Sequence, residues 1–403
     1  MTTITRAQAA KAFGAALFTH TRRQNTFVNM LTGGAPQAVA ADKNKNKTQT
    51  ERGAPIVMIN DLTKMAGDTV EMDLFHNLGG LPTMGDKKIE GRGENLNKVT
   101  FELAIDQGRH NVDSGGKMSQ QRTKHNLLQV ARTMLGSYFN DLQDEIATYH
   151  LAGARGSFQP DDMIIPLSDH EEFKEVMVND VLPPTYDRHF LGGDASSFET
   201  IDASDVLTLD KIDELALYLE EMAHPIKPIK FEKDQLSGED PFYVLFVTPR
   251  QWRDLWASAS DKKIQELMSR AIQRSQGFKH PLFAGDRIMW RNILVRQYRK
   301  PVRFAAGSTV KVSNNDNKAT IKEVTAAVAI DRAILLGGQA MACAYGKTSS
   351  GAQFKMHTEK VDHGNGRETS IAWMNGLKKV RFTEKSGRMN DYGVAVLDTA
   401  VTL

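Results

Sequence analysis

One stretch constrains this chain more than any other: residues 119–153, SQQRTKHNLLQVARTMLGSYFNDLQDEIATYHLAG. Leu128, Ala131, Leu135, Tyr138, Leu142, Ile146 and Tyr149 recur in steps of three and four. That spacing lays one apolar stripe along a 3.6-residue period and predicts a single helix. Ser119 is placed to cap its start, and Gly153 sits where a left-handed glycine ends a last turn. At ~1.5 Å per residue the helix would be about 50 Å long, as long as a whole domain is wide. Such an element acts as a beam on which others pack. Its opposite face, with Arg122, Lys124, Arg132, Asp141, Asp144 and Glu145, is expected to stay free for neighbours.

The rest of the chain must supply what packs on that beam. Its 403 residues and 40% apolar content suit two or three domains with real cores. A net charge of only +2 does not by itself argue for nucleic acid. The single cysteine, Cys343, excludes an intrachain disulfide and a cysteine-based zinc site, and suits a reducing cytosol. No run approaches the ~20 apolar residues of a membrane span. Residues 13–18 are too short for a signal-peptide core. Neither membrane nor export is expected.

Charge is unevenly spread. Residues 1–60 begin with an Ala-rich helical pattern over 7–18 and then lose periodicity. They carry eight cations, among them Arg22, Arg23, Lys43, Lys45, Lys47 and Arg52, against Asp42 and Glu51. This is a basic arm, fit to rest on phosphates or on an acidic neighbour; as plain sequence it reads equally as a solvated linker. Residues 67–112 show two strand patterns, 69–76 and 98–106, flanking a polar excursion with Gly79, Gly80, Gly85, Gly91, Gly93 and Pro82. A loop so long is usually functional. Residues 156–221 hold seventeen carboxylates against Lys174, Arg188 and Lys211, irregular at first and helical over 207–222. Residues 222–303 reverse the sign, with sixteen cations against eight acids. Adjacent segments of opposite charge suit contacts between copies of one chain. Further on, 242–247 and 288–298 read as strands, 249–257 as a helix start, and 326–346 as a strand followed by a small-residue helix. The tail ends in a strand over 392–397.

Motifs for chemistry are missing. Gly91-Arg92-Gly93 does not open a helix after a strand, and Gly346-Lys347-Thr348 has Met341 where a phosphate loop needs glycine. Asp161, Asp162, Asp169, Glu171 and Glu172 lack the glycine and closing glutamate of a calcium loop, and read as a solvated or interface face. The eleven histidines form no ligand spacing, His363 sitting in a turn-like context. There is no nucleophile elbow, and Cys343, inside an apolar helix, reads as packing. Asp141 and Glu145, four apart, read as salt-bridge partners rather than an acid and base couple, and Trp252 and Trp256 as core or interface. No catalytic, cofactor or metal residues are expected.

The order of parts resembles the major capsid proteins of tailed double-stranded DNA bacteriophages, of the Hong Kong ninety-seven type, and specifically their N-four-like podophage branch. The carrying segments are GDTVEMDLFHNLGG with FELAIDQGRHNV, the long helix, HPLFAGDRIMWRNILVRQYRKPVRF, DRAILLGGQAMACAYGK and KKVRFTEKSGRMNDYGVAVLDTA; residues 155–240 match poorly. The resemblance implies an α+β fold with an N-terminal arm (1–66), an extended β loop (67–112), a peripheral domain with spine helix and acidic insertion (113–204), a mostly axial domain (205–340), and a return to the peripheral domain with C-terminal strands (341–403). It implies hexamers and pentamers in an icosahedral shell around double-stranded DNA, with a portal protein and a decoration or scaffolding protein as partners, in a virion built in the host cytoplasm. The loop carrying Lys87, Lys88 and Arg92 would lie over a neighbouring subunit, and the arm would face DNA or tuck under a neighbour. Some relatives crosslink a loop lysine to an asparagine; no crosslink is predicted here. The alternatives are a nanocompartment shell of the same fold, or a metal-dependent hydrolase using residues 161–175.

Overall fold

The central helix is shorter than the periodicity suggests, and it is broken. The computed structural model describes residues 30–32, 53–59, 67–231, 234, 241–278, 280–283, 285, 287–346 and 354–402. The helical pattern over 7–18 and the arm cations Arg22, Arg23, Lys43, Lys45, Lys47 and Arg52 lie outside them. A five-residue α1 (Lys117–Gln121) precedes α2 (Leu127–Ala152). Ser119 lies inside α1, and the cap of α2 is Asn126, whose side chain accepts from Gln129 N–H at 3.2 Å. The break follows from polar side chains competing for backbone groups. Gln120 donates to the His125 carbonyl at 2.6 Å and accepts from Leu127 N–H at 3.1 Å, which fastens the turn. At the other end Gly153 is left-handed as expected, with φ 68°.

The remaining helices are α3 (Glu172–Val176), α4 (Leu209–Glu221), α5 (Pro249–Ser258) and α6 (Asp261–Gly277). The first strands are β1 (Ile56–Ile59), β2 (Thr69–Phe75), β3 (Lys98–Ala104), β4 (Asp106–Gly116), β5 (His189–Leu191) and β6 (Tyr243–Val247). After α6 come β7 (Arg287–Trp290), β8 (Ile293–Gln297), β9 (Val302–Phe304), β10 (Thr309–Ser313), β11 (Ile321–Thr325), β12 (Ile330–Leu336) and β13 (Met341–Tyr345). The chain closes with β14 (Phe354–Val361), β15 (Gly366–Lys379), β16 (Arg381–Thr383), β17 (Met389–Asp391) and β18 (Val394–Ala400). Two sequence expectations fail here. Residues 288–298 form two strands turning at Arg291, and the stretch read as a small-residue helix is β13, paired with β1 on one side and β15 on the other. Cys343 is therefore in a strand, wholly buried, and burial pushes its thiol up to about 12.

Two sheets share α2. In the five-stranded sheet β1-β13-β15-β14, with β4 also on β15, the first half of the helix packs through Leu135 and Phe139 onto Ile371, Phe354 and Trp373. Gly108 lets Trp373 lie flat on β4, because a Cβ there would stand 2.2 Å from the indole. The second half, from Leu142 to Ala152, enters the core behind the seven-stranded sheet β5-β18-β12-β6-β8-β7, with β9 also on β12, and shares one apolar cluster with Ile330, Ile334 and Phe304. Every residue from 141 to 152 is buried, so this half is enclosed on all sides.

Charged pairs lock that interior. Arg332 and Asp398 face each other across β12 and β18; the guanidinium donates to both carboxylate oxygens at 2.7 and 2.6 Å and to the Ala152 carbonyl at 2.9 Å. His189 on β5 reaches the same carboxylate at 2.7 Å. Burial alone would raise the Asp398 pKa, but Arg332 and His189 hold it at about 2. Arg303 and Asp331 repeat the arrangement across β9 and β12. Lys300 joins Glu145 of α2 at 2.9 Å, while Glu145 also accepts from the Ile164 and Ile165 amides at 3.0 Å, which pins the irregular acidic segment to the helix.

One member of α2 sets an acid limit. Burial, with Lys379 and Lys378 adding to it, lowers the His150 pKa to about 3. The unfolded chain takes up this proton from about 6.5 downward and the folded chain does not until about 3. Stability therefore falls as pH drops through that window, by up to about 1.4 kcal/mol per pH unit. Urea midpoints of the unassembled subunit should decline from pH 6.5 to pH 4, and His150→Asn should flatten the decline. An equal slope in both proteins would refute the assignment.

Candidate assembly surface

Among the described residues, no three His, Cys, Asp or Glu side chains converge as metal ligands, and no helix is long and apolar enough to cross a membrane. What stands out is a surface. Strands β2 and β3 pair antiparallel from Thr69↔Ala104 to Phe75↔Lys98. Their alternation sends Val70, Phe101 and Leu103 inward against Val57, Ile59 and Phe382, with the Phe101 and Phe382 rings 5.9 Å apart. Glu71, Asp73, Thr100 and Glu102 stand on the outer face. One more backbone bond, His76 N–H to Asn97 O at 3.0 Å, closes the ladder. Beyond it residues 77–97 have no regular secondary structure apart from two turns, at which Gly85 and Gly91 adopt positive φ, conformations open to glycine.

This loop is aimed rather than loose at its base. The Glu94 carboxylate accepts from Gly79 N–H at 3.0 Å, from Gly80 N–H at 2.6 Å and from the Lys385 ammonium at 2.7 Å. Lys385 lies in the turn between β16 and β17, so the clamp ties the loop to the body of the subunit. Lys385 first, then the two amides, hold Glu94 at about 2, and the clamp stays ionised well below the pH at which His150 weakens the core.

The loop presents apolar side chains to solvent. Of fifteen large exposed hydrophobic residues among those described, Phe75, Leu78, Leu81, Met84, Ile89 and Leu96 fall within 22 positions, and Leu81 is 96% exposed. A concentration of this kind marks an interaction site. Lys87, Lys88 and Arg92 are exposed on the same loop.

The other expected interface residues divide. Lys124 is exposed in the break before α2, and Arg122 is half-buried at the end of α1. Arg132 is exposed on α2 but donates to Thr358 of β14 at 3.0 Å, bracing its own sheet. Asp141, Asp144 and Glu145 are corrected: they are 2%, 5% and 1% exposed, because α2 is covered all round at that depth, and they present no face to neighbours. Asp213 of the acidic segment is met within the chain, by Arg291 at 2.8 Å and Trp290 Nε1 at 2.6 Å. The sequence marks Glu145 as a salt-bridge residue, as it is, but not its buried partner Lys300, nor the Arg303–Asp331 and Arg332–Asp398 pairs; the signal for these was Asp331-Arg332 inside the apolar run AVAIDRAILL, where a charge survives only if paired.

Comparison with known proteins fits a surface built for association. A family model described as phage capsid protein matches residues 1–403. The major capsid protein of Pseudomonas phage KPP25 is 26% identical over 166 residues, a match spanning 41% of this chain and 40% of that relative's length. The capsid of Ralstonia phage GP4 superposes with a TM-score of 0.76 at 27% identity, covering 100% of this chain and 99% of that one. The cyanophage Pam1 capsid, at 0.63 and 17% identity with 99% and 98% covered, and the head of Helicobacter pylori phage KHP40, at 0.61 and 14% with 97% and 95% covered, show the fold alone. With a family model matched along its whole length, the chain belongs to the phage capsid protein family, and its α+β fold is that of the Hong Kong ninety-seven type.

Proposed function

We propose that the chain is the major capsid subunit of a tailed phage of the N-four-like podophage branch, self-assembling as hexamers and pentamers into an icosahedral shell around double-stranded DNA. The observation that carries this is the 77–97 loop, which holds aliphatic side chains in water on a clamped base and has use for them only against another surface. In this reading the loop lies over the neighbouring subunit, α2 is the spine of a peripheral domain, and much of 205–340 forms the axial domain around the five-fold and six-fold centres. The arm with Arg22, Arg23, Lys43, Lys45, Lys47 and Arg52 faces packaged DNA. A portal protein, and a decoration or scaffolding protein, complete the set of partners, and the particle is built in the host cytoplasm.

Sedimentation of the purified full chain tests the reading. One large, discrete particle is expected, and particles recovered from cells expressing the whole head should protect DNA from nuclease. A stable 44.8 kDa monomer at high concentration would contradict it, and shells filled with protein instead of DNA would favour a nanocompartment.

A further inference from the structure

We propose that the acceptor for this loop is the root of the same loop on the next copy: the outer face of its β2–β3 hairpin and the groove beside β2. The proposal rests on the reading that the loop leaves its own subunit, and it names where the loop lands.

The acceptor has two parts. On the outer face Glu71 and Glu102 are register partners, so two carboxylates stand side by side, an arrangement that destabilises a strand pair. Of the three carboxylates on that face, among the described residues only Asp73 has a salt bridge, to Lys98 at 3.1 Å. Lys378 comes close to Glu102 but gives its ammonium to that residue's carbonyl oxygen at 2.9 Å. A cation arriving from outside would relieve the repulsion. Beside β2 runs a groove of about 140 Å³, lined by Val57, Met72, Leu74 and Phe382, with Glu71 and Asp73 among its lining. It exceeds many times the ~10–15 Å³ that admits one water on the same measure, which leaves room for an aliphatic side chain.

The loop offers both complements. Between Leu81 and Gly93 it carries Lys87, Lys88 and Arg92 against Asp86 and Glu90, interleaved with Met84 and Ile89, all exposed. Its remaining carboxylate, Glu94, is already engaged by Lys385. Loop of one copy on hairpin of the next is a head-to-tail contact, the kind that closes into rings.

A charge swap separates the possibilities. K87E/K88E/R92E and E71K/E102K should each lower the yield of closed shells at least about tenfold, since like charges would then meet. Combining the two sets should recover most of the yield. If the loop reversal leaves the shell yield unchanged, the loop's cations do not dock on the hairpin and the proposal fails, while the shells themselves still support the capsid reading. If the reversal blocks assembly but the combined variant does not recover, the loop docks elsewhere; the proposal fails and the capsid reading stands. Should E71K/E102K not fold, disulfide capture replaces it. Cys343 is the chain's one cysteine and is buried, so Lys88→Cys with Glu71→Cys should give linked multimers from oxidised shells. Monomers only would overturn the acceptor.

Discussion

Arg332→Met is expected to cost the subunit about 3–5 kcal/mol, the loss typical when one partner of a buried ion pair is removed. Arg332 is wholly buried and its guanidinium serves three groups. It pairs with Asp398 across the centre of the seven-stranded sheet, closes the last carbonyl of α2 at Ala152, and lies 4.9 Å over the Phe304 ring. The variant leaves a carboxylate that has no access to water with only His189 beside it, and it frees the end of the helix. A domain holds only about 5–15 kcal/mol in all, so much of the chain should be recovered as aggregate. Asp398→Leu added to Arg332→Met should restore part of the loss, because an apolar pair of similar volume is often tolerated where a lone charge is not. Urea midpoints of the single and double variants measure this. A single variant within about 0.5 kcal/mol of the parent, the range of ordinary surface substitutions, would show that the pair does not hold the interior together.

The loop predicts the opposite pattern. Leu81→Asp with Ile89→Asp places two charges on side chains that already face water, so the unassembled subunit should melt where the parent does. Shell formation should nevertheless be lost. Each contact in a shell is weak and is repeated in every subunit, so a modest defect per contact multiplies through the assembly. Light scattering of refolded protein separates the outcomes: unchanged melting with no particles is expected, while normal particles would mean that the loop's apolar side chains do not carry assembly.

What the sequence disclosed depended on whether the cause was local. The stripe from Leu128 to Tyr149 and the glycine at 153 found α2, because period and cap are written in adjacent residues. The break at 122–126 was hidden, since Arg, Thr, Lys and His all tolerate a helix and only the Gln120 and Asn126 bonds decide against it. Residues 341–345 looked helical for their small side chains, yet they form the strand squeezed between β1 and β15, where tertiary setting outweighs propensity. The pairing of β4 with β15 joins residues some 250 apart and left no local trace. For the surface, glycine density revealed the loop and its cations. The inward fate of Asp141, Asp144 and Glu145 was not visible, because burial all round a helix depends on partners as distant as Lys300.

Whether residues 77–97 leave their own subunit and cap another is decided by electron cryomicroscopy of shells assembled from the full chain. The map should show each loop, still clamped at Glu94 by its own Lys385, with Leu81, Met84 and Ile89 covered by the adjacent subunit. A loop lying uncovered in solvent, or folded back onto its own chain, would contradict it.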